Sequence, residues 1–203
     1  MIQRVAAFDF DGTLTRGDTL LPFLWRYLGT AKLMRVILLC SPWLALYVLR
    51  LLPNHVAKAR LLRWCFAGLP VTTAQAWAKD FVANNLPGML APWGMARLRE
   101  HQARGDVCVM VSASPDIYLH AVAKHLGVHL LCTELERRGD IYTGQMASAN
   151  CHGPEKVRRL QAWLQEQGLS NAHLTAYGDT RGDLPMLRMA QVAFYCEQPW
   201  YPV

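Results

Sequence analysis

The sequence predicts an α/β protein: a Rossmann-like core on a mainly parallel sheet, with an all-helical cap inserted into it. Three observations lead there. A short apolar run near the N-terminus, residues 3–10, contains one aspartate close to its end and is followed by another. After about residue 89, apolar runs of strand length alternate with amphipathic stretches of helix length, the pattern of parallel strands joined by helical crossovers. Between the two, residues 20–86 carry helical spacing and no strand pattern. The expected division is residues 1–15 and 89–203 for the core and 16–88 for the cap, a partition that suits a chain of 203 residues.

Taken in order, QRVAAFDF (residues 3–10) reads as a short buried strand, and Asp11-Gly12-Thr13 turns the chain after it. In the insertion, Leu20, Leu24, Tyr27 and Leu28 recur at helical spacing, as do Leu61, Trp64 and Cys65. Pro22, Pro42, Pro53 and Pro70 are expected to cut it into several short helices, because proline lacks the N–H that a helix interior needs. Residues 92–104 read as a helix and VCVMV (107–111) as a buried strand. Pro115 suits the first turn of the next helix, with Ser114 as its N-cap and Gly127 as its stop. Residues 128–132 form another strand, and 134–146, with Arg137-Arg138-Gly139-Asp140 inside, a hairpin. A helix over 154–167 stops at Gly168, and a strand over 173–177 leads into Gly178-Asp179. A short helix then covers 184–190 and a last strand 192–196.

Hydrophobic residues make up 52% of the chain and charged residues 18%, a balance that excludes intrinsic disorder. The six cysteines form no CxxC pair, which argues against a zinc knuckle and a dithiol redox motif; they are read as reduced and structural. Asp9 and Asp11 stand where a secretory leader needs its apolar stretch, so the expected location is the cytoplasm. The net charge of +6 is uneven. Residues 16–88 hold nine Lys or Arg against Asp18 and Asp80, a net +7, and the remainder nets −1. The same segment holds Trp25, Trp43, Trp64 and Trp77. A basic, apolar segment suits an anionic surface. It is too apolar for a nucleic-acid groove, and no nucleic-acid partner is expected. Residues 36–52 form an apolar run interrupted by Ser41, Pro42 and Arg50; at the lower length limit for a bilayer span, it is not read as one.

In an open parallel sheet, ligands bind beyond the carboxyl ends of the strands. Asp9 and Asp11 follow the first strand, Ser112 and Ser114 the second, Asp179 and Asp183 a late one, and Lys156 lies near a helix start. Carboxylates without histidine or cysteine partners select a hard cation, hence Mg2+. A lysine, two hydroxyls and a helix N-terminus suit a phosphate. Two aspartates at i and i+2 can divide the work of attacking phosphorus and moving a proton. The blander readings are turn or cap roles for Asp9, Asp11, Ser114 and Asp183, a solvated helix lysine for Lys156, and a surface position for His152.

Four segments in order, Asp9-Phe10-Asp11-Gly12-Thr13, Val111-Ser112-Ala113-Ser114, Lys156 and Gly178-Asp179-Thr180-Arg181-Gly182-Asp183, resemble the motifs of the haloacid dehalogenase superfamily of aspartate-nucleophile phosphatases. The insertion between the first two resembles its phosphoserine-phosphatase-like branch. The resemblance implies that Asp9 becomes an aspartyl phosphate and that Asp11 protonates the leaving oxygen and then activates water. It implies Mg2+ held by the Asp9 carboxylate, the Asp11 main-chain carbonyl and Asp179. Asp183 supports that shell, with Ser114 and Thr13 in supporting places. Ser112, Lys156 and backbone N–H groups near Gly12 and Ala113 bind the phosphoryl oxygens. Members acting on phosphoserine carry Ser-Gly-Gly in the second motif, Asn-Asp in the last, and a cap glutamate near Asp18. This chain has Ser112-Ala113-Ser114, Gly182-Asp183 and the shorter Asp18, which weakens assignment to phosphoserine.

The expected activity is Mg2+-dependent hydrolysis of a phosphate monoester. A lipid phosphate such as phosphatidylglycerol phosphate is expected first, since such a cap resembles the bacterial phosphatidylglycerophosphatase C type. A soluble metabolite such as phosphoserine is second, and phosphoryl transfer to another acceptor uses the same intermediate. A non-catalytic membrane- or partner-binding protein on this fold has no need of Asp9, Asp11, Lys156 and Asp179. The cap is read in two compatible ways: as a bundle with its own core, and as a peripheral contact with the inner face of the membrane.

Overall fold

The computed structural model describes residues 3–49 and 51–201. Its core is a six-stranded sheet in the order β4-β3-β1-β7-β8-β9. The strands are β1 (Arg4–Phe8), β3 (Val107–Pro115), β4 (His129–Thr133), β7 (His173–Gly178), β8 (Val192–Tyr195) and β9 (Gln198–Pro199). All pairs are parallel except β8–β9. The antiparallel edge strand β9 has no counterpart in the sequence reading, because two residues carry no periodicity. The crossovers are α5 (Pro92–Ala103), α6 (Asp116–Leu126), α7 (Pro154–Glu166) and α8 (Leu184–Met189).

β1 sits in the middle of the sheet, and its side chains alternate between two cores. Ala6 and Phe8 join a cluster with α5, α6 and the insertion, whereas Val5 and Ala7 join one with α7 and α8. Register aligns Phe8 with Tyr177 and Tyr177 with Phe194. Their rings stack as a ladder across β1, β7 and β8, with centroids 4.4 and 5.0 Å apart. The Tyr177 hydroxyl meets Nε2 of buried His101 on α5 at 2.7 Å. This ladder ends one residue before Asp9 and two before Asp179.

The insertion contains α1 (Leu20–Val48), α2 (Asn54–Phe66), β2 (Leu69–Pro70), α3 (Val71–Asn84) and α4 (Leu86–Met89). It is therefore not wholly helical. β2 pairs with β6 (Ile141–Met146), which forms a hairpin with β5 (Leu135–Arg138). Nor is it cut at each proline. Pro22 lies in the first turn of α1, where a missing N–H costs nothing. Pro42 lies inside α1, and the Ser41 hydroxyl donates to the Leu38 carbonyl at 2.7 Å, satisfying the acceptor that Pro42 leaves without an N–H. The break falls instead at Gly29 (φ 75°, ψ 159°). Pro53 and Pro70 do precede helices, α2 and α3.

Phe23, Leu24, Leu33, Val36, Leu62 and Phe81 are buried in the same apolar cluster as Ala6 and Phe8, so the insertion shares the core of the sheet and does not form a separate one. Leu38 (73%), Val48 (75%) and Leu51 (71%) stand in solvent, with Trp25 and Trp64 about half exposed. Among the described residues no helix is long and apolar enough to cross a membrane.

One close approach sets the floor of the site. At Gly94 on α5, a Cβ would lie 2.1 Å from the Thr13 carbonyl oxygen. Gly94→Ala is expected to lower stability by about 1–3 kcal/mol through overpacking, read as a lower urea midpoint. An unchanged midpoint contradicts this packing.

Candidate active site

The carboxyl ends of β1, β3 and β7 and the start of α7 bring the motif residues together. At the centre lies Lys156, 2% exposed. Its Nζ donates to Asp9 Oδ1 at 2.7 Å and to Asp183 Oδ1 at 2.6 Å. Asp183 stands at the N-cap position of α8 but makes no side-chain cap hydrogen bond there. Its other oxygen, Oδ2, accepts from the Thr180 N–H (2.9 Å) and hydroxyl (2.6 Å). Burial works against the charge on Lys156, but the two carboxylates outweigh it and raise its pKa. Burial likewise opposes ionisation of Asp183, yet Lys156 and Thr180 hold its pKa below the ordinary value. At Asp9 burial wins over Lys156 and pushes the carboxyl up to about 7.

Asp11 faces a different environment. Its Oδ2 accepts from the Ser114 hydroxyl at 2.6 Å, and its Oδ1 from the Thr19 N–H at 2.7 Å and hydroxyl at 2.6 Å. Thr19 is buried and meets the Tyr118 hydroxyl at 2.9 Å. Burial raises the Asp11 pKa against these hydrogen bonds. Ser114 thus serves Asp11 and not the helix: β3 runs on to Pro115, and α6 starts at Asp116 without a side-chain cap. The Ser114 N–H donates to Oγ of buried Ser112 at 3.0 Å, which leaves the Ser112 hydroxyl proton for a ligand. Ala113 stands beside the cavity between them.

Asp9, Asp179 and Asp183 can bring one carboxylate oxygen each within 4.8 Å of one another. Asp179 is half-buried, accepts from the Thr13 hydroxyl at 3.1 Å, and has its pKa raised by burial. Gly12, at φ 83°, lets the chain pass so close that a Cβ there would lie 2.1 Å from Asp179 Oδ2. Three converging carboxylates beside a single lysine, two of them with raised pKa, fit a divalent cation bound through oxygen. The Asp11 carboxylate lies outside this cluster.

A family model for haloacid dehalogenase-like hydrolases matches residues 6–188. The chain belongs to that family. It is 34% identical over 205 residues to the protein CicA of Caulobacter vibrioides, covering 94% of this chain and 85% of that one. It is 26% identical over 190 residues to a probable phosphatase, Rv3661, of Mycobacterium tuberculosis, covering 91% and 66%. A substrate-bound phosphoserine phosphatase shares the fold with a TM-score of 0.67 at 18% identity, covering 98% of this chain and 89% of that one. The family and its phosphatase relatives make this chain a phosphatase.

In this haloacid dehalogenase-like hydrolase, Asp9, Asp11, Ala113, Ser114, Lys156 and Asp183 line one cavity of about 280 Å³. Sequence reasoning passed over three residues beside them. Thr19 carries no signal beyond a hydroxyl just before a helix. Lys58, on α2, reaches the cavity and donates to the Ala113 carbonyl at 2.5 Å. His152, read from sequence as a surface residue, is exposed but lines the same cavity.

The Thr19 and Ser114 donors fix the Asp11 carboxyl in place. Asp11→Asn is expected to slow an alkyl phosphate at least tenfold more than an aryl phosphate, whose leaving group needs no proton at departure. Equal losses with both substrates, in steady-state phosphate release, would refute a proton-transfer role.

Proposed function

We propose that the protein hydrolyses a phosphate monoester through a phosphorylated Asp9. The observation that carries this is the contrast between two aspartates two residues apart: Asp9 is paired with a buried lysine, and Asp11 is held only by neutral donors. An Asp9 oxygen attacks phosphorus in line. The bond to the leaving oxygen breaks, and that oxygen takes the proton from Asp11. Asp11, now a carboxylate, takes a proton from water as the water oxygen attacks phosphorus. The bond to Asp9 then breaks, releasing phosphate and restoring both side chains. Lys156 and the Ser112 hydroxyl balance the charge on the phosphoryl oxygens.

Asp9, Asp179 and the Asp11 main-chain carbonyl would hold Mg2+, with Asp183 in support. The ion supplies positive charge that favours the ionised Asp9 and the charge-rich phosphoryl group. Asp9→Asn is expected to reduce phosphate release below a few per cent of wild type with the melting temperature retained. Chelator should abolish wild-type activity, and Mg2+ restore it. Activity that survives both treatments overturns this mechanism.

The substrate favoured here is a phosphomonoester on a lipid, such as phosphatidylglycerol phosphate, met at the inner face of the membrane. Support comes from the solvent-facing Leu38, Val48 and Leu51 together with exposed Lys32, Arg35 and Arg63. Arg50, counted in the same basic segment, lies outside the described residues. The cavity is of headgroup size, leaving acyl chains to the apolar surface outside. Each lysine or arginine near an anionic leaflet adds about 1 kcal/mol. The protein is therefore expected to pellet with anionic vesicles at low salt and to release as salt rises, with Lys32→Gln and Arg35→Gln together weakening the binding. A protein that stays in the supernatant with every lipid supports the second reading, a soluble metabolite. That reading is favoured by the small cavity and by the fold shared with a phosphoserine phosphatase.

A further inference from the structure

A cavity of about 810 Å³ lies between α3, α6 and the β5–β6 hairpin. It shares no lining residue with the catalytic cavity. α3 and α6 pack side by side, and where Ala78 and Ala121 line the gap their side chains are too small to fill it. Val82, Ile117 and Tyr142 extend this apolar lining, with Ile117 and Tyr142 buried. Small-molecule sites span roughly 300–1,000 Å³, so the space is of ligand size.

The charge around that lining is one-sided. Lys79, Lys124 and Arg137 stand against a single acid, Asp116, a net +2 with His120 and His125 counted as neutral. Asp116 is already spent on the fold: its Oδ1 accepts from the Leu135 N–H at 3.1 Å and its Oδ2 from Arg137 at 3.2 Å. Arg137 is held by that bond and by lying over the Tyr142 ring, 4.9 Å from its centroid. A guanidinium has five N–H groups and Asp116 takes one, so Arg137 keeps donors for a further anion. Lys79 and Lys124 are exposed and form no ion pair among the described residues.

An apolar interior bordered by cations narrows the class of occupant. A small inorganic anion would leave the apolar lining in water, and a neutral apolar molecule would leave the cations unmatched. We propose that this cavity binds an amphipathic anion, an alkyl or aryl body carrying one carboxylate head. The body lies along Ala78, Ile117 and Ala121, and the head pairs with the cations that border them. This site is separate from the one that handles the phosphoryl group and does not depend on the reading of that group.

Binding of decanoate and of naphthoate to the full chain is measured by titration calorimetry, with decanol as the neutral control and acetate as the head alone. At least one of the two carboxylates is expected to bind saturably and more tightly than either control. Which of them does so tells an alkyl body from an aryl one. Lys79→Gln and Lys124→Gln together, and separately Ala121→Phe, which fills the space, are each expected to weaken that binding about tenfold with the melting temperature retained. Leu38→Gln, on the exposed apolar surface of α1, is expected to leave it unchanged. Arg137 is kept in all variants, because its loss would strand the buried Asp116. Binding that neither control matches and that both cavity changes weaken upholds the proposal. An affinity that either cavity change leaves intact, that decanol equals, or that only Leu38→Gln removes overturns it, as does the absence of saturable binding. The two lysines stand in solvent, so their replacement decides the matter even where Ala121→Phe does not fold.

Discussion

A single buried ammonium ties the catalytic end of the sheet together. Lys156 enters from the first turn of α7 and bridges the end of β1, through Asp9, to the loop after β7, through Asp183. Removing Lys156 would cost about 3–5 kcal/mol, because two buried carboxylates are then stranded, whereas loss of the Asp9 charge leaves Lys156 paired with Asp183. The bridge therefore fixes the relative position of three chain segments far apart in sequence. It also leaves Asp9 with one oxygen neutralised and, among the described residues, Asp179 beside it without an ion pair of its own. That imbalance of charge makes the site receptive to a divalent ion, and it arises from burial as much as from proximity.

The rest of the core serves this bridge. Alternate side chains of β1 feed two separate hydrophobic clusters, so the strand is clamped from both faces. The stacked Phe8, Tyr177 and Phe194 rings then lock β1, β7 and β8 in register just before the acidic residues emerge. A register slip of one residue would turn Asp9 toward a core face and set it out of reach of Lys156. The proton chemistry proposed for Asp11 rests on another set of contacts: Thr19 and Ser114 each hold one of its oxygens, one from the start of α1 and one from the end of β3.

The sheet and the residues gathered at its edge are legible because short apolar runs, polar strand ends and helix starts are local signals. Asp9, Asp11, Ser112, Lys156, Asp179 and Asp183 could all be placed by that logic. What stayed hidden depended on partners distant in sequence. β2 and β9 are pairs of residues that become strands only because β6 and β8 offer a free edge. α1 runs through Pro42 because a neighbouring serine hydroxyl replaces the lost donor, a substitution that no propensity scale anticipates. Ser114 precedes a proline and a helix, which suggests a cap, yet the half-buried Asp11 carboxylate is the stronger acceptor. Lys58 counts in the sequence only as one of the basic residues of the insertion, since nothing in its own helix marks the face that turns toward Ala113.

The pairing of β2 with β6 has a mechanical consequence. The two ends of the insertion are already joined to each other, since the Arg16 N–H donates to the Met89 carbonyl and the Ala91 N–H to the Leu14 carbonyl. Those bonds alone would act as a hinge, with one axis free. The Gly68 and Val71 N–H groups, bonded to the carbonyls of Tyr142 and Asp140, add an anchor well off that axis. A body held along a line and at a point beside it cannot swing without tearing one attachment. Moving the insertion away from the core therefore carries the cost of the Gly68 and Val71 hydrogen bonds to the hairpin.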